Sequence, residues 1–191
     1  PRDQVRLRLP RGDRPVADGL GARAGRLRVG PPAAFDADGR PVGVRLEVGE
    51  VSVAGCAMIY PTGKRNFMSL CSEGVMLVSA LDENGSVAKQ WRTPAFFNVD
   101  EDPLFAMPAM IGRTAYFPSF HGDVQPVDLS GDEPKVLKRW SLVTDDERKA
   151  NWRPGGWQMV SAHDSGRLFV LMHPDGYDGS HKNGGPEVWV F

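Results

Sequence analysis

The sequence predicts an all-β chain, a piece of a β-propeller, and three observations carry that prediction. From about residue 42 onward, short apolar strands alternate with Gly, Asp, Asn and Pro punctuation, and almost nothing reads as helix. The strands regroup in fours. The first strand of each group starts near residues 57, 104 and 156, a period of about 47 to 52 residues, which is the spacing of four-stranded propeller blades. A β-sandwich also gives short strands, but not this regular restarting by fours.

The first group comprises Ala57–Pro61, Phe67–Cys71, Gly74–Leu81 and Val87–Thr93. Its last turn holds Asn84-Gly85, a pair suited to the positive φ of a tight hairpin. The second comprises Leu104–Ile111, Thr114–Phe120, Val124–Leu129 and Lys135–Val143, with turns at Gly112-Arg113, His121-Gly122-Asp123 and Ser130–Pro134. The third runs through Gly156–Ala162, Arg167–Met172 and Glu187–Phe191 and lacks a fourth strand. Between the last two groups, Thr144–Asn151 reads as a short helical connector: Thr144 caps it, Glu147 closes a capping box, and its early acids suit the helix dipole.

Residues 1–41 differ in kind. Arg2, Arg6, Arg8, Arg11, Arg14, Arg23, Arg26 and Arg28 crowd among Gly and Pro with no stable period. A basic arm for nucleic acid would need aromatic rings to stack on bases, and this stretch has none until Phe35. The expected division is therefore an irregular or non-native segment over 1–41 and a partial propeller over 42–191. Pro186-Glu187-Val188-Trp189-Val190-Phe191 reads as a strand still in progress, and no initiator Met or leader opens the chain. Both features lead us to expect an internal piece of a longer protein, about which a missing leader says nothing of compartment.

Composition bounds the partners. A net charge of -1 across 191 residues gives no overall reason to expect nucleic acid or an anionic membrane. No run of eighteen apolar residues is present, so no transmembrane helix is expected. The two cysteines, Cys56 and Cys71, flank a hairpin-like apolar stretch. They read either as two buried thiols or as a bridge closing a 15-residue separation, which would constrain the unfolded chain by about 3 kcal/mol and imply an exported protein. Their spacing fits no zinc pattern.

No catalytic constellation stands out. His173 and His181 share a loop with Asp175, Gly176 and Asp178, but the spacing matches neither a zinc site nor a calcium loop. A polar loop between strands is the better reading. His163-Asp164 ends a strand and caps a turn. Ser119, Ser161 and Ser165 lack a nucleophile-elbow context. Asp100, Glu101 and Asp102 make an acidic turn before Pro103, and Gly184-Gly185 before Pro186 is turn chemistry. No catalytic, cofactor-binding or metal residue is expected on this chain. The most unusual stretch is Asn151–Gln158, where Trp152 and Trp157 bracket an Arg153-Pro154-Gly155-Gly156 turn. Such rings act as interface anchors or seal a junction between blades; the sequence leaves both readings open.

From Cys56 to Phe191, about 70% of the chain, the sequence resembles the large propeller subunit of the tryptophan tryptophylquinone amine dehydrogenases. The resemblance rests on Cys56-Ala57-Met58-Ile59-Tyr60-Pro61-Thr62 with Phe67-Met68-Ser69-Leu70-Cys71, on Asp123–Gly131, and most specifically on Trp152-Arg153-Pro154-Gly155-Gly156-Trp157-Gln158. It implies a seven-bladed propeller, of which this piece supplies about three blades, with a disulfide joining Cys56 to Cys71. It further implies a periplasmic assembly of two large and two small subunits, converting a primary amine to an aldehyde and ammonia. The quinone cofactor and the catalytic base would belong to the small subunit, and electrons would pass to a cupredoxin of the amicyanin or azurin type. On that view Trp152, Arg153 and Trp157 are candidates for a subunit interface. The Arg-rich start departs from the family pattern.

Two other readings compete. One is a propeller that only displays a protein-interaction surface. The other is a lactonase-like hydrolase with a metal in the central channel, which needs ligating side chains at the starts of the first strands. Those strands begin Ala57-Met58, Leu104-Phe105 and Gly156-Trp157, which argues against it.

Overall fold

The computed structural model describes residues 6–8, 27–29 and 49–191, with side chains from residue 50 onward. Three short strands come first: β1 (Arg6–Arg8), β2 (Leu27–Val29) and β3 (Gly49–Val51). Apart from β1 and β2, the Arg-rich stretch expected over 1–41 lies outside the described residues. Contacts divide the chain into two units, one of Leu20–Ala95 and one of Pro1–Gly19 with Phe96–Phe191.

In the first unit, β4 (Cys56–Thr62), β5 (Asn66–Cys71), β6 (Met76–Leu81) and β7 (Val87–Arg92) form an antiparallel meander in that order. The central strands are buried on both faces, from Phe67 to Cys71 and from Met76 to Ser79, so their runs are almost continuously apolar instead of alternating. Outer strand β7 is mostly exposed. Cys56 and Cys71 sit directly opposite in the β4–β5 register and are joined by a disulfide. Directly beyond it, the register shifts between Ala57 and Tyr60, and Met58 takes a φ of 63°. This bulge turns Met58 and Ile59 outward, each 47% exposed. The hairpin after β6 also differs from expectation. Only Gly85 is left-handed there, with φ 80°. The Asp82 carboxylate accepts from the N–H groups of Asn84 and Ser86 at 2.9 Å each, and the register shifts between Ala80 and Leu81. A side-chain-capped turn with a bulge replaces the two-residue hairpin.

The second unit holds two sheets. In the first of these, β8 (Ala109–Ile111), β9 (Thr114–Pro118) and β10 (Asp123–Asp128) pair in order. The fourth position is shared by β11 (Lys135–Val136) and β12 (Trp140–Ser141). One continuous strand over 135–143 was expected. It is interrupted where the buried Gln125 amide donates 2.7 Å to the Leu137 carbonyl, taking the place of a ladder contact. The expected first strand from Leu104 is likewise reduced to an isolated bridge, Leu104 to Ser119, before β8; Pro108 directly before β8 removes a donor there.

The capped connector follows as α1 (Asp145–Lys149), with both halves of the Thr144–Glu147 capping box made. In the last sheet, β13 (Arg153–Pro154) and β14 (Val160–His163) both pair with β15 (Arg167–His173), which pairs with β16 (Glu187–Val190). The fourth position, for which the sequence offered no strand downstream, is taken by the backbone of β1 against β16. The described residues are thus mostly β, in three antiparallel sheets of four strand positions each and a two-stranded pairing of β2 with β3. One core joins the two sheets of the second unit, through Ala109, Val124, Leu142, Val160, Val170 and the fully buried Trp189.

Candidate functional site

The expected interface residues lie at one end of the second unit, where the turn after β9 and the loop after β15 come together. The turn bringing them there starts from α1. Asn151 adopts φ 52°, a left-handed value that Asn tolerates, and the chain then enters β13. Gly155 must be Gly: a Cβ there would stand 2.5 Å from the His173 ring and 2.8 Å from the Asn183 carbonyl.

The two tryptophans that bracket this turn part company. Trp152 packs on Trp189, ring centroids 5.0 Å apart, and joins the core. Trp157 is 80% exposed. One ring seals the sheet junction and the other is presented to solvent. Arg153 lies between them but points inward. Its guanidinium sits 4.6 Å over the face of Phe120, a cation–π contact in a partly desolvated setting. Its Nη1 is buried without a hydrogen-bond partner. Its side-chain methylenes press on Gly176 so closely that a Cβ there would fall 2.4 Å from Cδ. Arg153 therefore packs inside the site through Phe120 and Gly176.

Around Phe120 the rings of Phe105, His121 and His181 gather, at centroid distances of 6.4, 5.3 and 5.8 Å. Beside this cluster an ion network anchors the turn after β9. Arg139 bridges Asp102 and Asp123. Arg148 of α1 reaches Asp123 at 2.7 Å, the His121 carbonyl at 2.8 Å and Ser141 Oγ at 2.8 Å. Asp102 also accepts from the His121 N–H at 2.7 Å. Of the acidic turn, Asp100 and Glu101 remain exposed while Asp102 is drawn into this network. Sequence reasoning passed over Phe105, Arg139 and Arg148. Nothing local marks them, because the contacts Arg139–Asp123, Arg148–His121 and Phe105–Phe120 join residues 15 or more positions apart.

The remaining candidates scatter. His173 is buried, its Nε2 3.4 Å from the buried Ser180 Oγ and its Nδ1 3.1 Å from the Pro174 carbonyl. His163 closes the turn after β14, Nδ1 accepting from the Ser165 N–H at 3.1 Å. Ser119 is buried and its Oγ accepts from the Asp123 N–H at 3.0 Å. Among the described residues, no group of three or more His, Cys, Asp and Glu stands together as a metal cluster. No helix of the described residues is long and apolar enough to cross a membrane. At this end a cluster of rings around Phe120 lies beside the ion network, and Trp157 is exposed.

Comparison with known proteins adds the family. Residues 45–185 match the family described as methylamine dehydrogenase heavy chain. The methylamine dehydrogenase heavy chains of Methylobacillus flagellatus and Methylorubrum extorquens are each 30% identical to this chain, over 125 and 124 residues. Each alignment covers 63% of this chain, and 31% and 30% of those proteins respectively. The heavy chain of Methylophilus methylotrophus is 26% identical over 143 residues, covering 74% of this chain and 34% of that protein. The chain spans about a third of the length of the curated relatives it matches. With the match running through all three sheets, the chain belongs to the methylamine dehydrogenase heavy chain family.

Proposed function

We propose that this chain is part of the large subunit of a periplasmic quinoprotein amine dehydrogenase, and that its three sheets are consecutive blades of a seven-bladed propeller. The observation that carries the reading is the family match over residues 45–185. Four strand positions in each of the three larger sheets are what propeller blades require. The partial propeller would begin near residue 42, with Arg6–Arg8 of the Arg-rich stretch supplying the outermost position of the last blade against β16.

In this reading the chain does no chemistry. The small subunit carries the tryptophan tryptophylquinone and the catalytic base; a primary amine becomes an aldehyde and ammonia, and electrons leave to a cupredoxin. The share of this chain is to hold the small subunit in place. The Cys56–Cys71 disulfide suits an oxidising compartment. Trp157 is the strongest candidate for direct contact, since a large, solvent-exposed ring offers contact area for a partner. Trp152 and Arg153 would support it from behind.

The test is co-expression with a small-subunit gene, followed by purification through a tag on this chain. A co-purifying chain with quinone absorbance is the expected result. Trp157→Ala should then weaken retention roughly 30-fold, the effect of losing an interface hot spot of about 2 kcal/mol. A chain that recruits another protein without quinone would replace this reading with that of an interaction module.

A further inference from the structure

The loop from Pro174 to Pro186 crosses the end of the second unit and is fastened to the stretch from Ala150 to Gly156 at several points. The Gly156 N–H donates to the His181 carbonyl at 2.9 Å, the Gly176 N–H to the Asn151 carbonyl at 2.8 Å, and the Asp175 N–H to the Ala150 carbonyl at 3.3 Å. Within the loop, Ser180 is buried, receives the Tyr177 N–H at 3.1 Å, and starts a single 3-10 turn over Ser180–Lys182. That turn places the His181 ring against two rings from the neighbouring sheet, 5.9 Å from Phe105 and 5.8 Å from Phe120, edge-on to the latter.

We propose that the neutral His181 imidazole is a latch holding the Pro174–Pro186 loop on Phe105 and Phe120, and that protonation releases it. The surroundings decide the sign. From β13, Arg153 already places a guanidinium on the Phe120 ring. From the turn after β9 comes His121, which has Asp102 3.5 Å away. The loop itself contributes Lys182 beside the ring, the buried His173, and the exposed Asp175, Tyr177 and Asp178. No ion pair to His181 is formed among the described residues. A proton on His181 would therefore bring a second cation to a ring that already holds one, with no carboxylate paired to it. Burial, and after it the Lys182 charge, hold the His181 pKa below its ordinary value.

The linkage follows from that direction. Above the ordinary value of about 6.5 the ring is neutral in both released and latched states and pH has no effect. As the pH falls below it, the released state takes up protons first, and the latch weakens until the lowered value is passed. Because Gly156 is bonded to the His181 carbonyl, release also frees the turn that presents Trp157. The latch does not depend on which partner that ring meets.

The experiment is an imidazole titration by NMR on the whole chain, with amide hydrogen exchange at Gly156 and Gly176 followed from pH 7.5 to 5. We expect a His181 midpoint below the ordinary value, and protection at both glycines falling roughly two-fold or more across it after correction for intrinsic rates. His181→Phe keeps a ring on Phe105 and Phe120 but cannot titrate, so its protection should be flat with pH. A midpoint at or above the ordinary value would overturn the proposal. So would protection that ignores the midpoint, or equal pH dependence in His181→Phe. Should that variant fail to fold, the wild-type coupling between midpoint and protection decides alone.

Discussion

In the sheet from Cys56 to Arg92 the first two strands are covalently joined, by a disulfide between residues that face each other in register. In the sheet closed by β16 the corresponding strands carry no cysteine. They are held instead by a core in which Val170, Met172 and Trp189 are fully buried, with Trp152 stacked on Trp189. The apolar cluster around the disulfide is small by contrast: Cys71, Val75 and Leu77, with Val53 and Cys56 beside it. The bridge joins the strand ends beside this small cluster, while Met68, Met76 and Val78 further along the same sheet are fully buried.

That contrast is open to direct attack. Trp189→Ala removes the largest fully buried side chain, and should destabilise the second unit by about 3–5 kcal/mol, the usual cost of a large cavity. The check is a denaturant melt with hydrogen exchange at Val170 and Met172; protection near wild type would mean that the tryptophan is not the keystone. Replacing both cysteines by serine should cost the first sheet about 3 kcal/mol for a loop of this size, read as lost protection at Met68 and Val78. A loss well below that would show that the strands of the first sheet hold without the bridge. The smallest effect belongs to the connector. Thr144→Ala removes the cap of α1 and should cost about 1 kcal/mol, visible as faster exchange at the Glu147 amide with both sheets unchanged.

Much of this was legible in the sequence because it is local. Strand alternation, the glycines at turns and the Thr144–Glu147 box depend on neighbours a few residues apart, and the grouping by fours follows from them. Boundaries suffered wherever a distant group intervened, as when Gln125 reached across to Leu137, or where Asp82 rather than an Asn-Gly pair shaped the turn. The site was half legible. Two tryptophans around a glycine turn announced a special place. Nothing near them foretold that one ring would meet Trp189 and the other solvent, or that Arg153 would lie over Phe120. Those facts depend on the packing of two sheets, which no short window of sequence contains.

The bulge at Met58 bears on how the first sheet treats strangers. Among the described strands β4 stands at the edge of its sheet, and a straight edge strand is a template for pairing with another chain. The left-handed Met58 interrupts the regular pleat of that edge after Ala57, and a bulge works against continuous pairing. Bulges of this kind are one of the ways edge strands are kept from recruiting others. Deleting one residue of the bulge is therefore expected to raise the tendency to aggregate, read as thioflavin binding against wild type.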